Sequence, residues 1–529
     1  MKESRLCFDL RQLHCLIVIA VVSCCWTIAR PCSGEPLAVK GERNKSTICI
    51  SSPVLSLDPT NHRDRDTQVV LKNMFDSLTT RDNTMKVVPQ LAESWKVLDN
   101  TTWEFKLRRG VTFHNGDDFT AEDVKFTLER VTKEGALDGK TSPRRALLGP
   151  LSAVEIIDDY TVQIETEKPW AILPLMLTLQ EIVPREYMKA VGSKGFQMKP
   201  VGTGPFRFVK AEGEGLVILE RFEDYYGGSP EIPPVQPAPL KYLLFKTVRE
   251  RIERIAMLKR EECDIITHVP PEAIGILEMV PGIQVLSCPA TRSYFAEMNC
   301  AKPPFDDRRI RLAMNYAVDM EAVTDHILLG HGRILPTVLL PNAFAYNDSL
   351  KPYPYDPELA KKLLADSGFP EGISIAINCT EEDRQFANVL AVFLTKVGVK
   401  SLITVVDRKR PRALGKGALW DIFVGSWGNS TLDPVGILVP KFNSGGRGNY
   451  SNYSNGMVDQ LLSRAEGTLY TLMREEYYNQ VQEIIYRDVP MIFGYAAEEH
   501  YGVRGRVRNF IPSSGGMMNI HDVYIESED

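Results

Sequence analysis

Histidine is scarce in this chain. Eight occur among 529 residues, and no two stand in the i, i+4 pairing that sets two imidazoles on one helix face around a metal; His326 and His331 are five apart. Ten cysteines are present, but no C-x-x-C pair, so the spacing of a structural zinc site is missing. Local catalytic signatures are missing too. "GSWG" and "GSKG" have the wrong spacing for a nucleophile elbow, and "LGKGAL" lacks the upstream glycine and the following hydroxyl of a phosphate loop. "GTG" at 202–204 is half of a dinucleotide fingerprint. Acidic pairs such as Asp306–Asp307 stand at helix starts, where a carboxylate meets the N-terminal dipole. Excess positive charge is also lacking: the net charge is −6, and the run "DRKRPR" at 407–412 reads as a solvated turn. No catalytic residue, metal site, cofactor or nucleic-acid partner is expected.

What is present begins at the N-terminus. Lys2, Arg5 and Arg11 precede an apolar run ending at Trp26, then a Pro/Ser/Gly/Glu segment. The run falls short of the roughly 20 residues a membrane-spanning helix needs and suits the core of an export signal over 1–34. "VVSC" at 21–24 resembles a lipoprotein box with Cys24 as the acylated residue; cleavage near Gly34 is the competing outcome. Five cysteines lie in or beside this segment. Cys49, Cys263, Cys288, Cys300 and Cys379 remain, an odd number, which in an oxidising compartment implies one or two disulfides and at least one free thiol.

A chain this long, 44 % apolar and 25 % charged, is a soluble multi-domain protein by size and composition. Strand and helix patterns interleave along it, which predicts a mixed α/β fold. In "TTWEFKLRRGVTF" (101–113), Trp103, Phe105 and Leu107 share one strand face. Thr120 caps the next helix with Asp123 three residues on, and Val124, Leu128 and Val131 follow at helical spacing. In "YDPELAKKLLADSGFPEG" (355–372), Asp356 caps, Pro357 takes the first helical position, Leu359, Leu363 and Leu364 line a face, and Gly368 stops the helix. Two segments read as loops: the Pro-rich 227–240, and the Gly/Asn/Ser-rich 443–456 with Tyr450 and Tyr453.

One loop stands out. "DIFVGSWGNSTLDP" (421–434) puts Ile422 and Val424 on a buried strand ending at Gly425. Ser426, Trp427, Asn429, Ser430, Thr431 and Asp433 follow at once. An indole, hydroxyls, an amide and a carboxylate on one short loop suit a catalytic centre, a grip on a ligand, or a turn.

Several stretches resemble the family 5 extracellular solute-binding proteins, the peptide- and nickel-type receptors of ABC importers. They are "LAESWKVLDNTTWEFKLRRGVTFHNGDDFTAEDVKFTLERV" (91–131), "VGTGPFRFV" (201–209), "AKPPFDDRRIRLAMNYAVDMEAV" (301–323), "YDPELAKKLLADSGFPEG", "DIFVGSWGNSTLDP" and "NYSNYSNGMVDQLLSRA" (449–465). The match covers nearly all of the chain after residue 45, in the family's order. It implies a type II periplasmic-binding fold, with two ligand lobes around a cleft and an added third domain. Lobe one would take 45–75, 198–286 and 495–529, the added domain 76–197, and the second ligand lobe 287–494.

The resemblance also implies a function and a site. The chain would be an exported, periplasmic, monomeric receptor without enzymatic activity. It would bind a short peptide or similar small polar solute and hand it to an ABC permease in the inner membrane; a nickel or other metal chelate is the alternative ligand, and a secreted hydrolase the disfavoured one. Trp427, Asn429, Ser430, Thr431 and Asp433 would enter the cleft, with the indole offering a flat face and one N–H. Dipeptide receptors place an aspartate where this chain has Ser430, and a hydroxyl holds an ammonium far less strongly than a carboxylate does. Arg384 would hold a substrate carboxylate, or stay at the surface with Glu381, Glu382 and Asp383. Ser52 and Pro53 in "SSPVLSLDP" would form the opposing wall, Tyr294 and Asn299 would lie near the crossover between lobes, and Tyr450 would act as a lid aromatic. By similarity to the dipeptide receptors, Cys49 and Cys263 would form a disulfide.

Overall fold

The structure, a computed structural model, describes residues 44–213, 215–232, 237–407 and 420–526. The export segment with Cys24 and most of the basic run at 407–412 lie outside the described residues.

Eleven strands form one mixed sheet. In chain order they are β1 (Lys45–Ile50), β2 (Phe206–Glu212), β3 (Leu216–Arg221), β4 (Tyr242–Thr247), β5 (Ile265–Ile266) and β6 (Ile283–Met298). They continue with β7 (Gly332–Ile334), β8 (Ile373–Cys379), β9 (Val399–Val405), β10 (Ile422–Gly428) and β11 (Met491–Arg504). The order across the sheet is β9-β8-β10-β6-β11-β5-β1-β4-β3-β2, with β7 paired to β11 off that path. β1 runs parallel to β4 and β5, and β8 runs parallel to β9 and β10. The strands of these parallel parts alternate more and less buried residues, as in Ile373–Cys379 and Val399–Val405.

Two long antiparallel strands join the halves. β6 and β11 pair from Ile283↔Arg504 to Pro289↔Glu498, shift register between Pro289 and Ser293 and again before Phe295, and pair on to Glu297↔Met491. Before the shifts, β11 passes the sheet on to β5; beyond them, β6 passes it on to β10. Register shifts of this kind locally bend and twist a strand pair, and here they fall at 289–295, between the stretches where the sheet is handed on to β5 and to β10. The fold is thus two lobes sharing two strands, the type II periplasmic-binding arrangement, with a further domain.

That further part is a four-stranded antiparallel sheet made from Ala92–Val97, Thr102–Leu107, Thr161–Thr166 and Leu151–Asp158, in that spatial order. Trp103, Phe105 and Leu107 are buried on one face, and each such side chain contributes about 1.5–3 kcal/mol by leaving water. Helix Ala121–Thr132 packs on this sheet through Val124, Leu128 and Val131, all buried. Its capping box forms as expected: the Thr120 N–H donates to the Asp123 carboxylate at 2.9 Å. Helix Pro357–Asp366 likewise starts at Asp356, which accepts the Leu359 N–H at 2.9 Å, and Gly368 beyond it takes φ +93°. Only Leu364 of its three leucines is fully buried; Leu359 and Leu363 lie half-buried at the helix flank.

One boundary differs from the expectation. β10 continues past Gly425 to Gly428, because β6 pairs with it as far as Arg292↔Gly428. Ser426 and Trp427 are therefore strand residues, and the loop proper begins at Asn429.

Candidate binding cleft

A cleft enclosing about 1160 Å³, its open mouth included, is lined mainly by residues within 72–90, 225–232 and 511–521, and by Ser430. A hairpin built from Thr79–Arg81 and Val87–Pro89 enters it. The hairpin's turn is closed by Asp82, whose carboxylate accepts the Thr84 and Lys86 N–H groups at 2.8 and 3.0 Å. This fixes Arg81 at the cleft wall. Arg81 Nη1 donates to the Ser430 carbonyl at 2.7 Å, while Nε and Nη2 are buried and find no hydrogen-bond partner among the described residues. Burial pushes the Arg81 guanidinium down to about 10. Arg81 is thus a cation on the cleft wall with two buried donors that no described residue engages, and an anion is the natural complement of such a group. Beside it stand Lys72, whose ammonium donates to the Thr178 carbonyl at 2.6 Å, and Asp76, which burial pushes up to about 6.

The 426–433 segment reaches this cleft through Ser430 and is tied down elsewhere. Trp427 is half-buried; its indole N–H donates to the Gly436 carbonyl at 2.8 Å, and Lys441 and Arg447 lie 5.1 and 4.9 Å from its ring centroid. The N–H is therefore committed within the loop. Asn429 is buried: its backbone N–H donates to Thr291 at 2.7 Å, its side chain donates to the Asp433 carbonyl at 2.9 Å, and it accepts the Thr431 hydroxyl at 2.7 Å. Asp433, also buried, accepts the Val435 N–H at 3.1 Å and faces Arg474 Nη2 at 2.9 Å from each oxygen. Its carboxylate is spent on an ion pair and a turn. Ser430, exposed at the cleft edge, is the member of the loop left for a ligand.

The other residues named from the sequence do not line this cleft. Arg384 is exposed at a helix start with Glu381 at 3.4 Å, the surface arrangement that the neighbouring acids allow. Tyr294 stacks on Tyr495, centroids 4.9 Å apart, at the strand crossover. Asn299 is buried and accepts from Ala301 N–H and Asn452 at 3.3 and 3.1 Å. Tyr450 donates its backbone N–H to Glu297 at 3.0 Å; Ser451 does the same at 3.1 Å, and buried Lys441 also pairs with Glu297. The Gly/Asn/Ser-rich loop is thus packed onto a buried ion pair. The Ser52 N–H donates to Asp66 at 2.6 Å, and Pro53 follows it half-buried.

The expected disulfide is not formed in the structure. Cys49 and Cys263 are free and buried in one apolar cluster. Their closeness follows from β1 pairing with β5, since the Asp264 N–H donates to Thr47 and the Thr267 N–H to Cys49.

Arg81 itself was not legible in the sequence. "TTRDN" carries no motif, and its partner lies 349 residues away. The same holds for Arg65, whose Nη1 pairs with Glu499 at 2.7 Å and whose Nε donates to the Gly515 carbonyl, on the cleft wall, at 2.7 Å.

Two lobes joined by paired strands, with a solute-sized cleft whose mainly apolar lining carries a few charged groups, define a ligand-binding receptor. Comparison with known proteins identifies the class. The family model for bacterial extracellular solute-binding proteins, family 5 (middle) matches residues 86–449, and the chain belongs to that family. It is a substrate-binding protein of the ABC-importer type, a binder and not an enzyme, in a family of extracellular and periplasmic receptors. Heme-binding protein A of Haemophilus influenzae is 28 % identical over 506 residues, covering 90 % of both chains. The glutathione-binding protein GsiB of Pectobacterium atrosepticum is 29 % identical over 468 residues, covering 85 % of this chain and 88 % of its own. The solved structure of HbpA2 from Haemophilus parasuis superposes with a TM-score of 0.83 at 24 % identity, over 92 % of this chain and all of that one.

Proposed function

We propose that this chain captures a short peptide, or a similar small polar solute bearing a carboxylate, beside Arg81 and Ser430 and delivers it to an ABC permease in the inner membrane. The observation that carries the reading is Arg81, whose buried Nε and Nη2 lack partners on the cleft wall. A ligand carboxylate would recover the hydrogen bonding that burial has cost this guanidinium. The neutral Ser430 and the Arg474-bound Asp433 leave the 430 loop without a free carboxylate, so recognition there falls on an acidic end of the ligand, not on an ammonium. Glutathione, the ligand in the name of one relative, is a small peptide with carboxylates, which supports the same chemistry.

Closure would rotate 287–494 against 45–75, 198–286 and 495–529 about the β6–β11 irregularity, with 76–197 as the added domain bearing Arg81. Contacts made to both sides at once would shift the population toward the closed form. Export to the periplasm, with lipidation at Cys24 or cleavage near Gly34, a monomeric state, and oxidation of Cys49 and Cys263 to a disulfide belong to the same proposal. A second reading, a non-peptide chelate, is favoured by the similarity to heme-binding protein A. Mass spectrometry of small molecules released by denaturing protein purified without added ligand separates the two. A peptide supports the first reading and a metal chelate the second; a released molecule without any carboxylate contradicts the proposed role of Arg81.

A further inference from the structure

Three potential metal ligands meet at the strand crossover, on the face of β11 opposite to Arg65. Glu498 and His500 are two apart on β11 and so project from one side of it, whereas Glu499 and Tyr501, which hydrogen-bond each other and meet Arg65, project from the other. His331 joins Glu498 and His500 because the chain enters β7 there: Gly332 pairs with Ala497, and the Glu498 N–H donates to the His331 carbonyl at 3.3 Å. One ligand atom from each of the three residues can be chosen so that all lie within 4.8 Å of one another. The imidazoles of His331 and His500 meet edge to face, centroids 5.0 Å apart, and His331 Nδ1 is 3.7 Å from the Glu498 carboxylate.

His500 shows that the cluster is more than a chance surface group. It is 2 % exposed, its Nδ1 lies 2.7 Å from the Ser287 hydroxyl, and its Nε2 is buried with no partner among the described residues. The Ser287 hydroxyl occupies one ring nitrogen and leaves the other free to bind an ion. A buried imidazole nitrogen without a partner has otherwise given up its hydration with nothing in return.

We propose that His331, Glu498 and His500 form a binding site for a late first-row divalent cation such as Zn²⁺, with the fourth position open to solvent. Two imidazoles and one carboxylate match the donor set such ions take. Bound ligand atoms would stand roughly 3.3–3.5 Å apart for bonds near 2.1 Å. Rotation of His331 and Glu498, whose side chains are 34 % and 40 % exposed, supplies the contraction. None of the three residues lines the Arg81 cleft, so the site is independent of the solute the receptor carries. It would tie the β7 approach to the strand that crosses between lobes, next to the register shift at Pro289.

The test is calorimetric titration of tag-free, EDTA-stripped protein with Zn²⁺, with bound metal counted after dialysis. One ion per chain is expected, with at least tenfold weaker binding in H331A and in E498Q. Both residues are partly exposed, so these variants should keep the wild-type circular dichroism. H326A, an exposed histidine outside the cluster, should bind as wild type. S287A should weaken binding less than H331A while leaving one ion per chain. Absence of saturable binding, or binding unchanged in both H331A and E498Q, overturns the assignment.

Discussion

Replacing Asp433 by Asn tests how the 430 loop is built. The carboxylate and Arg474 are 6 % and 9 % exposed, with Nη2 at 2.9 Å from each oxygen, so solvent screens the pair little. Asparagine preserves the shape and an acceptor for Val435 but leaves the Arg474 charge uncompensated. Breaking a buried pair in this way costs about 3–5 kcal/mol. The lower end applies, about 3 kcal/mol, because Arg474 keeps its contacts with the Ala465 carbonyl and Tyr478 hydroxyl. R474M should cost a similar amount, and the double variant less than the sum, with a coupling of at least about 1.5 kcal/mol. Equilibrium urea unfolding of the four proteins measures this. If D433N leaves stability unchanged and abolishes ligand binding while R474M binds normally, Asp433 is a ligand contact and the loop has been misread.

Two further outcomes follow from buried groups. Burial first, and then the neighbouring Arg144 cation, holds His62 down to about 4, against roughly 6.5 in the unfolded chain. The unfolded chain takes up this proton before the folded one does, so the stabilisation is complete above pH 6.5 and is lost as pH falls toward 4. Between pH 7 and 5 the group accounts for about 2 kcal/mol, and H62Q should flatten the urea midpoint's pH dependence by that amount; an unchanged slope refutes it. For the thiol pair, mild oxidation should give a Cys49–Cys263 cross-linked peptide in non-reduced digests. Both thiols remaining alkylatable after unfolding would refute the pairing.

How far the sequence reaches depends on range. The Thr120–Asp123 box, the Asp356–Pro357 start and the Trp103/Phe105/Leu107 face are set within a few residues, and each forms as read. β10 runs beyond Gly425, where a glycine locally resembles a stop, because pairing with Arg292 on β6 carries the strand on to Gly428. Side-chain facing was harder still. Nothing local announces that Asp433 meets Arg474, that Trp427 spends its N–H on Gly436, or that Arg81 reaches Ser430. His331 and His500 likewise come together only because β7 pairs with β11, so a search by ligand spacing passes over them.

The central claim is that Arg81 grips the solute from the cleft wall. Titration of the co-purifying molecule into wild type and R81A measures it directly. Loss of two charge-assisted hydrogen bonds, about 1.5–3 kcal/mol each in the uncoupled limit, should weaken binding at least tenfold with the fold intact. Equal affinity in the two proteins would contradict it.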